Sequence, residues 1–249
     1  MRKALIIALA ALFWIGCKKE KDDVSRTVKV STPTVSFAGV TFTGDSTAID
    51  YYFQEGITPD YTVFASFPVG TQLSMTPTAY DSVTGETVPV TILRNGQLNT
   101  SQPGLYVYDF QTGRNRNGFG ARVRYYVGIY NVNPDLDYSG TYRGVIGSST
   151  DTTEDIDISM LAPAMYLISD PVTDLSQIGA VFVQTTDSTI AIGSQPTELG
   201  AQSYGDIIGS NGRIRTTGGD TVISYQLTNP TINADYPAST RFTLIKSHD

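Results

Sequence analysis

A single cysteine, Cys17, is the feature of this 249-residue chain that most limits how it can fold. Without a second cysteine the chain forms no internal disulfide, so each hydrophobic core must be stable through the burial of apolar side chains alone. The roughly 230 residues that follow Cys17 are enough for two small domains or one large β-domain.

The composition of this long segment predicts an all-β fold. Thr, Val, Ile and Tyr are frequent, Gly and Pro occur throughout, and helical periodicity is scarce. Residues 105–110 (LYVYDF) and 122–127 (RVRYYV) read as two partner strands, bounded by turns at Pro103-Gly104 and Asn117-Gly118.

Three tyrosines of these strands have predicted roles. Tyr106 follows a turn by two residues and is predicted to bond nearby backbone, as in a tyrosine corner. Tyr125 and Tyr126 are adjacent, so in a strand they face opposite sides. We expect one of them to be buried in the core and the other to be exposed.

The N-terminus has the pattern of a lipoprotein signal peptide over residues 1–16. Arg2-Lys3 precede an apolar run, residues 4–15, that is too short to span a bilayer as a helix. Gly16-Cys17 then resembles the lipobox of bacterial lipoproteins, with Trp14 where that family usually has Leu. The resemblance implies that the Cys17 thiol receives diacyl chains, with palmitate as a typical acyl group. The alternative is a free thiol after an ordinary signal peptide, although no A-x-A-like site precedes it.

Residues 17–23 are predicted to form an acylated tether. The run Lys18-Lys19-Glu20-Lys21-Asp22-Asp23 resembles the export signal that sends lipoproteins of Bacteroidetes to the outer face of the outer membrane. The resemblance implies a protein that is lipid-anchored in the outer membrane and faces the cell exterior. The alternative for this run is a solvated, flexible spacer.

Two domains are predicted after the tether, at residues 24–132 and 138–249. The boundary lies in residues 131–138, where turn-forming residues and a proline follow a terminal strand. Residues 90–108, with their proline-glycine turn and alternating strand, resemble immunoglobulin-like domains of Bacteroidetes surface lipoproteins. The start at 139–142 (SGTY) and the strand at 165–170 (MYLISD) are similar to the C-terminal β-domain of those lipoproteins. The implied fold is an immunoglobulin-like β-sandwich followed by a second β-sandwich or a small lipocalin-like barrel, which periodicity does not separate.

The composition disfavours several classes of function. Removal of residues 1–16 changes the formal net charge from −7 to about −9, which is unsuited to nucleic acid. His248, the one histidine, stands next to the C-terminus, so no histidine-based catalysis or zinc site is expected. We therefore predict a protein that is not an enzyme and has no metal and no cofactor. Carboxylate-based hydrolysis stays an alternative, since the chain has enough Asp and Glu, although the sequence identifies no catalytic pair. The densest carboxylates, Asp151, Glu154, Asp155 and Asp157, leave calcium binding as an alternative to a solvated loop and strand.

Binding is the predicted class of function. The family resemblance implies an accessory glycan-binding component of a polysaccharide capture and import system, with polysaccharide and an outer-membrane transporter complex as candidate partners. Long loops at residues 194–212 and 228–239 are the predicted ligand face, and the candidate contacts are Tyr204, Asn211, Asn233 and Tyr236. The one tryptophan, Trp14, leaves with the signal peptide, so tyrosine is the strongest aromatic available for sugar stacking. The alternative is a structural or protein-interaction lipoprotein, as a transporter partner or adhesin, without saccharide binding.

Overall fold

The protein folds almost entirely as β-strands, which confirms the all-β prediction. A computed structural model describes residues 27–42, 46–50, 58, 60–116, 118–149, 152–172, 179–199, 202–229 and 231–246. Cys17, Trp14 and His248 lie outside these ranges. Within the described ranges, no helix has the length and apolar character needed to cross a membrane.

The first half of the described chain contains ten strands. They are β1 (Thr27–Ser31), β2 (Thr34–Phe37), β3 (Val40–Phe42), β4 (Ser46–Asp50), β5 (Asp60–Pro68), β6 (Thr78–Asp81), β7 (Glu86–Val88), β8 (Val90–Arg94), β9 (Gly104–Thr112) and β10 (Arg122–Tyr130). Two four-stranded sheets, β3-β2-β6-β7 and β5-β10-β9-β8, form a sandwich, and β1 pairs with β4.

Aromatic rings fill the space between the two sheets of the sandwich. Phe37 on β2 lies 4.6 Å from Tyr108, 4.8 Å from Phe110 and 5.7 Å from Tyr125, measured between ring centroids. The phenol of Tyr125 is fully buried and donates to the Val35 carbonyl at 2.7 Å, and this burial raises its pKa to about 12. The β-sandwich is thus shown, while its assignment as immunoglobulin-like stays a prediction.

The predicted pairing of two strands in this sandwich is confirmed. β9 and β10 run antiparallel, with Tyr125 opposite Tyr108 and Val123 opposite Phe110. The other neighbour of β10 is β5, which pairs with it in parallel. Periodicity identifies strands but not such long-range partners, so this parallel pair was not predicted.

The turn before β9 is held by two tyrosine hydroxyls. The Tyr106 hydroxyl donates to the Gln102 carbonyl at 3.0 Å and reaches the Asn99 carbonyl at 3.2 Å. The Tyr108 hydroxyl accepts the Leu98 backbone N–H at 2.7 Å. Tyr106 therefore has the backbone-bonding role predicted from its position.

We expect Tyr106→Phe to lower the free energy of unfolding by about 1 kcal/mol, because it removes only the hydroxyl that bonds this turn. Tyr80→Phe is the matched control, since the Tyr80 side chain is half exposed and lies on β6, in the other sheet of the sandwich. Chemical denaturation of both variants measures the difference. Equal stability of the two variants would contradict the role of the Tyr106 hydroxyl.

The second half of the described chain closes into a barrel of eight strands. This half contains nine strands, β11 (Gly140–Ile146), β12 (Thr152–Ala162), β13 (Met165–Ile168), β14 (Ala180–Thr186), β15 (Thr189–Ala191), β16 (Gln195–Leu199), β17 (Gln202–Thr217), β18 (Asp220–Thr228) and β19 (Arg241–Lys246), with helix α1 (Ile232–Asp235) before β19. The ring runs β11-β12-β13-β14-β15-β17-β18-β19, and β16 pairs with β17 outside it. Between the two predicted forms of this part, the structure shows the barrel.

Glycines permit the barrel to close where β15 meets β17. Gly212 lies so close to the Ile190 carbonyl oxygen that a Cβ would overlap it, and a Cβ on Gly209 would overlap the Ile192 side chain. The Gly209 N–H donates to the Ile192 carbonyl at 2.9 Å. Large buried side chains, including Tyr142, Tyr166, Phe182, Tyr225 and Phe242, fill the interior.

The barrel packs against the outer face of sheet β5-β10-β9-β8. The contact is apolar, with Leu105, Val107, Tyr126 and Tyr130 of the sandwich against Ala164, Met165, Val181 and Val183 of the barrel. Tyr126 is only 8 % exposed, so the prediction that one of the adjacent tyrosines is exposed was wrong. The sandwich leaves Tyr126 outside its own core, and strands β13 and β14 then cover it.

Two glycines bring the sandwich and the barrel into close contact. A Cβ on Gly128 of β10 would lie 2.7 Å from Val183 Cγ2 and 2.8 Å from Met165 Cε. A Cβ on Gly193 would overlap the Leu105 carbonyl oxygen of β9. The interface therefore depends on positions without side chains as well as on apolar packing.

Candidate functional site

The outer face of sheet β5-β10-β9-β8 is divided into an apolar part and a polar part. Side chains alternate along each strand, so residues opposite one another share a face. Arg124 lies opposite Asp109 on β9 and Thr62 on β5, and Arg122 lies opposite Asp60. Farther along the same face the residues are those covered by the barrel. The charged residues therefore lie just beyond the edge of the barrel contact.

These charged residues line a pocket of about 130 Å³. Its walls are Asp60, Tyr61, Thr62, Asp109, Arg122 and Arg124. The volume is below the range of about 300–1,000 Å³ typical of drug-sized ligands, so it suits a single small ring or one unit of a longer chain. We call this the β5–β10 pocket.

Tyr61 contributes to the pocket without offering a free ring face. Its ring packs on Phe42 at 4.4 Å between centroids, and its hydroxyl lies 3.3 Å from Thr32 Oγ1. The pocket can therefore recognise a ligand mainly through charged and hydroxyl groups. Guanidinium groups donate hydrogen bonds and carboxylates accept them, so the walls offer both functions.

An ion pair forms one wall of the pocket. Arg124 donates two hydrogen bonds to Asp109, from Nε at 2.7 Å and from a terminal nitrogen at 3.1 Å. The Asp109 side chain is 9 % exposed and that of Arg124 is 17 % exposed. A bidentate pair with this burial has a fixed geometry, so the Arg124 and Asp109 groups are preorganised.

A second bidentate pair joins the sandwich to the barrel. Arg94 of β8 donates to both carboxylate oxygens of Asp206 on β17, at 2.7 Å and 2.6 Å, and Ser194 Oγ donates to Asp206 at 2.7 Å. Arg94 Nε also lies 3.9 Å from Asp109. The result is a continuous chain of charged groups, Arg124–Asp109–Arg94–Asp206, that runs from the pocket to the barrel.

The Arg94 guanidinium shifts the acid–base behaviour of Asp206. Its hydrogen bonds to the carboxylate are the largest cause of a lowered Asp206 pKa, and burial opposes that change. The carboxylate likewise raises the pKa of Arg94. Both side chains are about one-third exposed, so solvent screening reduces the stabilisation that the pair provides.

Asp206→Asn is expected to lower the free energy of unfolding at pH 7 by about 1 kcal/mol. The lowered pKa means that Asp206 stabilises the folded state above its unfolded pKa of about 3.9, and the contribution disappears as pH falls through the lowered folded value. The stability difference between wild type and variant should therefore shrink toward acid pH. Denaturation from pH 7 to pH 2 measures it, with Asp187→Asn in an exposed turn as the control. A difference that is constant with pH would contradict this linkage.

The predicted ligand face on the barrel is largely strand rather than loop. β16 (Gln195–Leu199) and β17 (Gln202–Thr217) occupy most of residues 194–212. The prediction of a long loop in this segment was therefore wrong. The strand was missed because its Gly- and Ser-rich sequence is irregular and contains a bulge between Ser210 and Arg213, where Asn211 has φ +53°. Asn211 is exposed and its side-chain amide donates to Gln226. Tyr204 lies in β17, and its side chain is outside the described part.

The other two predicted contacts have roles in the fold. Asn233 Oδ1 accepts the Asn229 N–H at 2.9 Å, and its Nδ2 donates to the Tyr236 carbonyl at 2.8 Å. These bonds hold the segment around helix α1. The Tyr236 ring packs edge-on to Phe242 at 5.8 Å and borders the barrel core. We therefore expect Tyr236→Ala to lower stability, in contrast to an exposed ligand contact.

The carboxylates considered for calcium lie apart from the pocket. Asp155 and Asp157 are exposed positions of β12, and Asp157 accepts the Thr141 hydroxyl at 2.9 Å. Asp151 and the side chain of Glu154 are outside the described part. In the ranges given above, no group of three or more His, Cys, Asp or Glu side chains is placed to hold a metal ion.

The β5–β10 pocket was not predicted, although part of its signal was present. The spacing Arg122-x-Arg124 puts both guanidiniums on one face, and the predicted pairing with residues 105–110 puts Asp109 beside them. The remaining walls come from β5, which is more than fifty residues away in sequence and pairs in parallel. A comparison with protein-family models and with curated proteins found no match.

Proposed function

We propose that this protein is a lipid-anchored lipoprotein of the outer membrane that faces the cell exterior and binds polysaccharide as an accessory component of a capture and import system. The anchor is supported by the apolar run of residues 4–15, Gly16-Cys17 and the charged tether of residues 18–23. Binding without catalysis is proposed, and membrane lipid and a transporter complex are the proposed partners.

The β5–β10 pocket is the observation that supports binding of a saccharide. Sugars present several hydroxyl groups in fixed directions, and carboxylate and guanidinium side chains satisfy hydroxyl donors and acceptors together. Asp60, Thr62 and Arg122 are exposed around a wall that the Arg124–Asp109 pair holds rigid. We therefore propose a ligand site on the sandwich, whereas the sequence predicted one on the barrel at Tyr204 and Tyr236.

A polysaccharide panel tests the proposal. Full-length protein in mild detergent is run in affinity electrophoresis against plant, host and microbial polysaccharides, and each retarded sample is titrated by calorimetry. We expect saturable binding to one glycan class, with Asp60→Ala reducing affinity about tenfold or more and Asp187→Ala having no effect. Loss of binding in Tyr204→Ala but not in Asp60→Ala would move the site to the barrel. An absence of binding across the panel would refute the proposed function.

A protein-interaction role is the second candidate, and the edge strand β8 favours it. β8 pairs with β9 on one side and ends the sheet, and its side chains Ile92 and Leu93 are 47 % and 46 % exposed. An exposed edge with apolar side chains can receive a strand from another protein. Cross-linking on intact cells, followed by identification of the linked protein, tests this role. A Leu93→Lys variant that links the same partner equally well would contradict docking at β8.

A further inference from the structure

We infer that the β5–β10 pocket selects saccharides that carry a carboxylate, and that Arg122 is the residue that recognises this group. The inference rests on the proposed function, because it names the ligand class of the same pocket. It follows from which charged groups around the pocket are already engaged and which are available to a ligand.

Four of the charged groups are engaged with one another. Asp109 receives two hydrogen bonds from Arg124, and Asp206 receives two from Arg94. Each carboxylate is thus matched by a guanidinium in a bidentate geometry, which is the most favourable arrangement for both groups. A ligand would have to break an existing pair to bind any of these four through charge.

Arg122 and Asp60 are the two remaining charged groups of the pocket. They lie opposite each other on neighbouring parallel strands, and both are exposed. In the part of the chain that the structure describes, neither forms an ion pair or a side-chain hydrogen bond. One cation and one anion are therefore available side by side, next to a rigid polar wall.

A sugar acid matches this pair of groups better than a neutral sugar. The planar guanidinium binds a carboxylate through two parallel N–H bonds, a geometry that a hydroxyl cannot reproduce. The Asp60 carboxylate accepts hydrogen bonds from hydroxyls on the same ring. A ring bearing both a carboxylate and hydroxyls uses both residues, whereas a neutral ring cannot form the bidentate contact with Arg122.

The net negative charge of the chain does not favour acidic saccharides, so a preference for them must come from a local contact in the pocket. The net charge of −7 repels polyanions at long range, and salt screens such repulsion beyond about 10 Å. A preference for acidic saccharides therefore cannot arise from the general field of the protein. It must come from Arg122, so removal of that side chain should eliminate the preference.

Two matched pairs of ligands test the inference on full-length protein in mild detergent. Calorimetry compares trigalacturonate with its methyl ester, and sialyllactose with its methyl ester, so that the two members of each pair differ only in whether the carboxylate carries a charge. We expect one acidic member to bind about tenfold tighter than its neutral match. Arg122→Gln should make the two affinities equal, while Arg213→Gln, at an exposed arginine of the barrel wall, should keep the preference.

The outcomes separate this inference from the proposed function. Equal affinity within both pairs, or an acid preference that Arg122→Gln retains, would overturn the role of Arg122. Binding of neutral polysaccharide with no binding of either acid would overturn the inference and leave the proposed function standing. If no member of the pairs and no polysaccharide of the panel binds, both are refuted.

Discussion

Replacement of Cys17 by alanine is expected to abolish lipid attachment and release the protein from the membrane fraction. The cysteine thiol is the only one in the chain, so no other side chain can form the thioether that carries the diacyl group. Stable anchoring needs two or more acyl chains, and all of them would be lost together. Labelling of cells with an alkyne-modified palmitate, followed by fractionation, measures both effects.

The control for this variant is Lys19→Ala, which leaves Gly16-Cys17 unchanged and should retain label and membrane association. Label that persists in Cys17→Ala would show that the chain is not acylated at this residue. Surface export is tested separately by adding protease to intact cells. Digestion of wild type, together with protection of a variant in which residues 18–23 are all alanine, is the expected result for an export signal in the tether.

Gly193→Ala is expected to separate the barrel from the sandwich, with a loss of about 3 kcal/mol in the free energy of unfolding. A Cβ at this position would overlap the backbone carbonyl oxygen of Leu105, which cannot move away by changing a rotamer. Relief requires the two parts to move apart, which exposes the apolar contact around Tyr126 and Val183. Thermal unfolding should change from one transition to two, and small-angle scattering should show a larger radius of gyration.

The matched control is Gly104→Ala at the start of β9. A Cβ on Gly104 would lie 3.5 Å from the Tyr106 hydroxyl oxygen and 3.6 Å from the nearest ring carbons, which are ordinary contact distances, so we expect this variant to unfold in one transition. Retention of a single transition and an unchanged radius in Gly193→Ala would show that the contact between barrel and sandwich is not held by this close approach.

Separation of the two parts also bears on the β5–β10 pocket. Asp109 lines the pocket and lies 3.9 Å from Arg94, which in turn binds Asp206 of the barrel. When the barrel moves away, Arg94 loses its partner and becomes available to compete with Arg124 for Asp109. We therefore expect the barrel to stabilise the arrangement of charges on the sandwich, although no described residue of the barrel lines the pocket.

Local features of the fold were predictable because short segments of chain encode them. Alternation identifies residues 105–110 and 122–127 as strands, and a tyrosine two residues after a turn can reach that turn's carbonyl groups, as Tyr106 does. The Gly218-Gly219 turn is a further case, since both residues have positive φ and join β17 to β18 in a two-residue hairpin. Each of these depends on neighbours within about twenty residues.

The candidate site was less predictable because its parts come from distant segments. Arg122 and Arg124 are visible in the sequence as charged residues. Their role in the site, however, depends on Asp60 in a parallel strand and on the Asp109–Arg94 contact. Aromatic content pointed instead to the tyrosines of the barrel. The fully buried Tyr166 and the packed Tyr236 show why abundance of a residue type does not indicate exposure.

By itself, the sequence of this protein determines its all-β character, its main hairpins and a chemically distinct cysteine next to an apolar run. These features follow from backbone preferences and side-chain alternation, which act over a few residues, and from the amino-acid composition of the chain. Tertiary structure alone decides that β15 meets β17 to close a barrel, that this barrel covers Tyr126, and that charges from four strands form one connected chain. The physical reason is that these contacts depend on the fit between surfaces, where the absence of a Cβ at Gly193 or Gly212 decides whether two backbones can meet.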